Sequence, residues 1–143
     1  MTCLTVLATS GLIIGCTVGN LYEERERRLM RLDERVVNGI GMMLYTPQPI
    51  ALGPQPIVVS LTVGSRNEMA NLSAVWLTYQ LPHSGLRSTV RMVSVNDYID
   101  AFGARVPFTE PGLWQLTVQV YRVGGVPAIS TFTIVCCGES VSQ

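Results

Sequence analysis

The stretch Trp114-Gln115-Leu116-Thr117-Val118-Gln119-Val120-Tyr121 alternates apolar and polar side chains. A period of two is that of a pleated strand with one face in a core and the other in water. Trp114, Leu116, Val118 and Val120 therefore point inward, and Gln115, Thr117 and Gln119 point out. Pro111-Gly112 immediately before the stretch is a turn that launches the strand, and it lets Trp114 plug a core between two sheets. Gly124-Gly125 beyond it supplies the positive φ of a tight turn, so this strand and the following run Ala128 to Cys136 form a hairpin.

Working outward from that hairpin, short apolar runs separated by Pro, Gly and Asn recur back to Asn38-Gly39. The runs read as strands over Ile40 to Tyr45, Ile57 to Val63, Ala74 to Gln80, Ser88 to Val95, Ala104 to Phe108, Gly112 to Arg122 and Ala128 to Cys136. Seven strands in about a hundred residues predict a mainly β, immunoglobulin-like antiparallel sandwich over residues 39–137, followed by a short tail at 138–143. Pro47, Pro49, Pro54 and Pro56 bracket Ile50 to Gly53, which reads as an irregular connection because proline cannot donate to a ladder.

Before Asn38 the pattern is different. Residues 23–38 carry Arg25, Arg27, Arg28, Arg31 and Arg35 against Glu23, Glu24, Glu26, Asp33 and Glu34, with Leu29, Met30, Leu32 and Val36 between them. The segment reads as a short charged helical stalk with mixed ion pairing. Residues 1–22 hold no charged side chain and have the length that spans a bilayer as a helix, so they read as a membrane anchor. Ile13-Ile14-Gly15-Cys16 resembles the lipobox of bacterial lipoproteins, with Cys16 as the lipidated residue, although no Arg or Lys precedes it. A second reading keeps the helix uncleaved, with Gly11, Gly15 and Gly19 forming a small-residue face for another helix. A buried helix or an ordinary cleaved signal is the third.

Composition narrows the function. Of 143 residues, 48% are hydrophobic and 14% charged, the formal net charge is zero, and all ten basic residues are Arg. With no excess of positive charge to neutralise phosphates, nucleic acid is not an expected partner. The four cysteines, at 3, 16, 136 and 137, lie at the two ends of the chain and match neither a zinc spacing nor a disulfide framework. Catalysis is not expected either: His83 is the only histidine, Ser84 is merely its neighbour, and Asp97 and Asp100 lie around a turn signal.

From Tyr45-Thr46-Pro47 and Gly53, through Val58 to Val63 and Val75-Trp76-Leu77-Thr78-Tyr79-Gln80-Leu81-Pro82-His83, to Phe108-Thr109-Glu110-Pro111-Gly112-Leu113-Trp114, the order of features resembles the YtkA-like and FixH-like exported domains. These are relatives in shape of the CopC-type copper-resistance sandwiches. The resemblance covers about two-thirds of the chain and implies copper handling or assembly of membrane redox complexes. It would place a metal near His83, where relatives carry a methionine and more histidines; a solvent-facing turn histidine is the ordinary alternative. Met42, Met43, Met69 and Met92 could add thioether ligands suited to Cu(I), although methionines within strands are more often core filler. Cys136 and Cys137 could bind a soft metal, pair with another chain or carry lipid, but adjacent residues of a strand point to opposite faces, so a shared ion requires the strand to have ended.

The expectation from sequence is a non-catalytic, membrane-anchored module whose β domain lies on the periplasmic or extracellular side. It would serve as a small subunit or assembly factor of a membrane redox complex, with protein partners and no cofactor. The alternative is a periplasmic copper carrier of YtkA-like type using His83, Met92, Cys136 and Cys137.

Overall fold

A computed structural model describes residues 29–64, 71–95 and 98–137. The expected anchor at 1–22, with Cys16, Gly11, Gly15 and Gly19, lies outside the described residues, as do the first part of the stalk and the C-terminal tail. Among the described residues no helix is long and apolar enough to cross a membrane.

The strands are β1 (Leu29–Val37), β2 (Ile40–Pro47), β3 (Gly53–Thr62), β4 (Leu72–Leu81), β5 (Leu86–Arg91), β6 (Val93–Val95), β7 (Tyr98–Phe108), β8 (Gly112–Arg122) and β9 (Ala128–Cys136). They form two sheets, one ordered β1-β2-β3-β7-β6 and the other β5-β4-β8-β9, with every pairing antiparallel. The mainly β sandwich expected from the alternating runs is therefore present. In β8 the inward and outward residues are those the period of two assigns: Trp114, Leu116, Val118 and Val120 are buried, and Gln115, Thr117 and Gln119 are half-buried on the outer face. Trp114 meets Phe108 of the facing sheet edge-on, 5.0 Å between ring centroids and 73° between planes. Around this pair pack Leu44, Ile57, Val59, Leu77, Leu81, Phe132 and Ile134, each 2% exposed or less. Each such side chain contributes about 1.5–3 kcal/mol by leaving water.

Three expectations are corrected. The stalk is not helical where it is described: Leu29 to Val37 is β1, paired with β2 from Leu29 opposite Pro47 to Val37 opposite Ile40. Its cause is the two-residue turn Asn38-Gly39, whose φ values of 51° and 80° are both positive, as the tightest hairpin loops require. The run Ser88 to Val95 is not one strand. Arg91 pairs with Trp76 in one sheet, Val93 pairs with Gly103 in the other, and Met92 marks the crossing, its N–H donating to Val75 O at 2.8 Å. Finally, Pro54 and Pro56 lie inside β3. They pair with β7 on one side, in the part of β3 that extends past its pairing with β2, where the missing N–H breaks no ladder.

Candidate functional site at the cysteine end of the second sheet

His83 owes its position to a rigid 3-10 turn, Pro82–Ser84, that follows β4. Pro82 presets the backbone at the first position of the turn, and Gly85 closes it at φ 79°, its N–H donating to Pro82 O. Ser84 Oγ donates to Leu81 O at 3.1 Å and accepts from the N–H of Leu86 at 3.2 Å. His83 is exposed, as a turn histidine is expected to be.

The β4–β8 pairing ends with Gln80 opposite Gln115, and the turn that follows β4 carries His83 over Gly112 at the start of β8. A Cβ added at Gly112 would stand 3.5 Å from Leu81 Cδ1 and 3.6 Å from His83 Cε1, so the imidazole lies against the one position of β8 that has no side chain. On its other side Gly112 pairs with Cys136. Gly112 thus has the His83 imidazole of the turn on one side and Cys136 of β9 on the other.

Cys136 is buried, and β9 ends with it. Cys137 turns into the left-handed region, at φ 77°, and is half-buried. This turn removes the obstacle recognised from sequence: the strand has ended, and the sulfurs of Cys136 and Cys137 lie against each other. Cys137 Sγ lies 4.0 Å from Glu110 O, the same carbonyl that accepts the Trp114 indole N–H at 2.9 Å. The only imidazole of the chain and the only described cysteines therefore share one end of the sheet, directly above the Trp114 plug.

The other sulfur candidates are elsewhere. Met92 is 2% exposed and belongs to the core beside Val75, so it is not brought to His83. From Trp76, which pairs with Arg91, to Leu81 is five residues of strand, about 17 Å. Met42 is fully buried, Met43 accepts from Arg31 Nη1 at 3.7 Å on β2, and Met69 is outside the described residues. Among the described residues no group of three or more His, Cys, Asp or Glu gathers that could hold a metal. A shallow cleft lined by Asn38, Asn71, Arg122, Val123, Gly125 and Val126 lies at the far end of the β8–β9 hairpin. Its guanidinium is engaged structurally, Arg122 donating to Asn38 O at 2.6 Å and to Val126 O at 3.0 Å.

The part of Gly112 in this site escapes a reading of motifs one at a time. Half of it was within reach, because a hairpin centred on Gly124 sets Gly112 opposite Cys136. The His83 half depends on the β4–β8 register, which no tight turn dictates.

No family model matches the chain, and no curated protein does. Solved structures do. FetP of uropathogenic Escherichia coli, expressed in the periplasm, is similar with a TM-score of 0.57 at 11% identity, over 77% of this chain and 96% of its own. A copper-bound variant of FetP matches with a TM-score of 0.57 at 10% identity, over 75% of this chain and 95% of its own. A copper-bound variant of Campylobacter jejuni P19 matches with a TM-score of 0.55 at 13% identity, over 78% of this chain and 98% of its own. These likenesses bear out the CopC-like sandwich architecture that the resemblance implied. The expectation that no cofactor bears on this fold is corrected by the same finding: two of these three solved neighbours are copper-bound.

Proposed function

We propose that the chain is an exported, non-catalytic copper carrier of YtkA-like type, tethered at a membrane by residues 1–22, whose cargo is Cu(I). The observation that carries this reading is that His83 lies against Gly112 while Cys136 pairs with Gly112 on its other side, which brings the imidazole and two sulfurs to one end of a sandwich like those of copper-bound proteins. The fold likeness favours the carrier over the accessory-subunit reading drawn from the anchor and stalk.

The donor chemistry fits this cargo. Thiolate sulfur is the soft ligand that selects Cu(I), and imidazole is compatible with it. Two thiols at 136 and 137 with His83 across Gly112 make such a set, whereas the thioethers of Met42 and Met92 are held in the core and do not contribute. The rest of the chain positions these donors. Pro82 and Gly85 hold the imidazole, Gly112 leaves the space between it and Cys136, and Trp114 seals the core beneath.

The test is a competition titration. The full chain, reduced with dithiothreitol and transferred anaerobically, is titrated with Cu(I) against the chromophoric chelator bicinchoninate. The reading expects one Cu(I) per chain with Kd below about 1 μM, and weaker binding in His83→Ala. Binding no tighter than that limit, or unchanged in His83→Ala, overturns it.

A further inference from the structure

We propose that Asn38 is a deamidation site, and that its conversion to isoaspartate unclips β1 from the sandwich irreversibly. The inference is independent of the copper reading.

Asn38 and Gly39 are the two residues of the β1–β2 turn, at φ 51° and 80°, and both are exposed. A Cβ built at Gly39 would meet nothing within 4 Å, so no neighbour shields the peptide that joins the two. With no side chain beside it, the main-chain nitrogen of glycine is the least hindered nucleophile that can follow an asparagine. Gly39 N attacks Asn38 Cγ. The new N–Cγ bond closes a five-membered succinimide, the Cγ–Nδ2 bond breaks, and the Gly39 amide proton leaves with Nδ2 as ammonia. One water molecule then opens the ring. Attack at the former side-chain carbonyl gives aspartate, and attack at the main-chain carbonyl gives isoaspartate, whose backbone runs through Cβ and Cγ. Solvent water is the only co-reactant.

The structure sets when this reaction runs. Ring closure brings Gly39 N into the plane of the Asn38 side chain, and the left-handed backbone of the closed turn holds it away. Asn38 also clips the turn shut, its Nδ2 donating to Pro127 O at 3.0 Å and its backbone O accepting from Arg122 Nη2 at 2.6 Å. The reaction therefore runs through the opened hairpin. Opening costs little, because Met30, Leu32 and Val36 are exposed and burial does not hold β1 down. Beyond the ladder, the side chain that fastens the strand is Arg35, which donates to Thr131 O at 3.3 Å and lies 5.1 Å over the Phe132 ring.

Once formed, isoaspartate cannot rebuild the turn. It adds one methylene to the main chain of a two-residue loop whose torsions are fixed. Its carboxylate also replaces the Nδ2 donor and has no hydrogen to give Pro127 O. β1 then leaves β2, and the backbone at Arg31 and Arg35 opens to proteases.

The experiment ages the full chain in mildly alkaline buffer. Peptide mass mapping follows conversion at Asn38 and at Asn71, an exposed asparagine followed by leucine that serves as the internal reference. Isoaspartyl methyltransferase labels the isoaspartate, and amide exchange and trypsin report on residues 29–37. Asn38 is expected to convert well before Asn71, and the converted chain to lose protection over 29–37 and to be cut at Arg31 and Arg35, while β4, β8 and β9 keep their protection. Arg35→Ala leaves the Asn-Gly pair intact but loosens β1, and is expected to speed conversion about threefold. Conversion at Asn38 no faster than at Asn71 overturns the site. Conversion with residues 29–37 still protected overturns the release of β1. A rate that Arg35→Ala leaves unchanged overturns the route through the open hairpin.

Discussion

At the scale of single residues, Trp114 couples the fold to the site. It is fully buried, touches Phe108 across the sandwich, and donates its indole N–H to the carbonyl that lies beside Cys137. Trp114→Ala removes the largest buried side chain and leaves a cavity that the surrounding strands cannot close. The expected loss is about 3–5 kcal/mol, read as a lower urea midpoint with an unchanged slope. The Pro-Gly-x-Trp piece that signals this plug was legible in the sequence, since a turn followed by strict alternation admits one reading. The contact of His83 with Gly112 was not. It follows from pairing two strands some thirty residues apart, and nothing local sets that register.

At the scale of elements, the clearest departure from expectation is β1. Its apolar residues and charges are spaced loosely enough to read as a helix. As a strand it is exposed along nearly its whole length, with Met30, Leu32 and Val36 all more than 40% exposed. Little burial holds it in place. What does is the Asn38-Gly39 turn, the ladder to β2, and Arg35, which reaches across to β9, donates to Thr131 O at 3.3 Å and lies 5.1 Å over the Phe132 ring. The Asn-Gly pair is the local signal that could have identified the hairpin. Gly39→Val places a β-branched side chain at φ 80°, which only glycine and a few polar residues tolerate. Amide exchange should then lose protection over residues 29–37 while β4, β8 and β9 keep theirs. Uniform loss across both sheets would mean that β1 is integral to the core and not an added edge. The outer face of the second sheet holds itself together differently. Thr89, Thr78, Thr117 and Thr131 stand in one row across its four strands. The Thr78–Thr89 and Thr117–Thr131 hydroxyl pairs are each 2.8 Å apart, and Gln119 donates to Thr78 at 2.9 Å. Such cross-strand pairs stabilise this face through hydroxyl and amide hydrogen bonds.

At the scale of the whole molecule, two sheets close over one core and bring chemistry to one end of it. The sandwich was legible because alternation and turn residues are local and abundant. Which strand joins which sheet was not, and the crossing at Met92 shows why: a residue that breaks no local rule carries the chain from one sheet to the other. The site had the same limit. His83, Cys136 and Cys137 were each visible as donors, but only the strand order β4-β8-β9 makes them neighbours and sets Met92 apart. The proposed carrier holds copper by sulfur and imidazole from this end of the sandwich. X-ray absorption at the copper edge, recorded on the reduced full chain loaded with one Cu(I), tests it most directly. Sulfur scatterers together with an imidazole signal that disappears in His83→Ala is the predicted result. A spectrum of oxygen and nitrogen scatterers alone, or one that His83→Ala leaves unchanged, would contradict it.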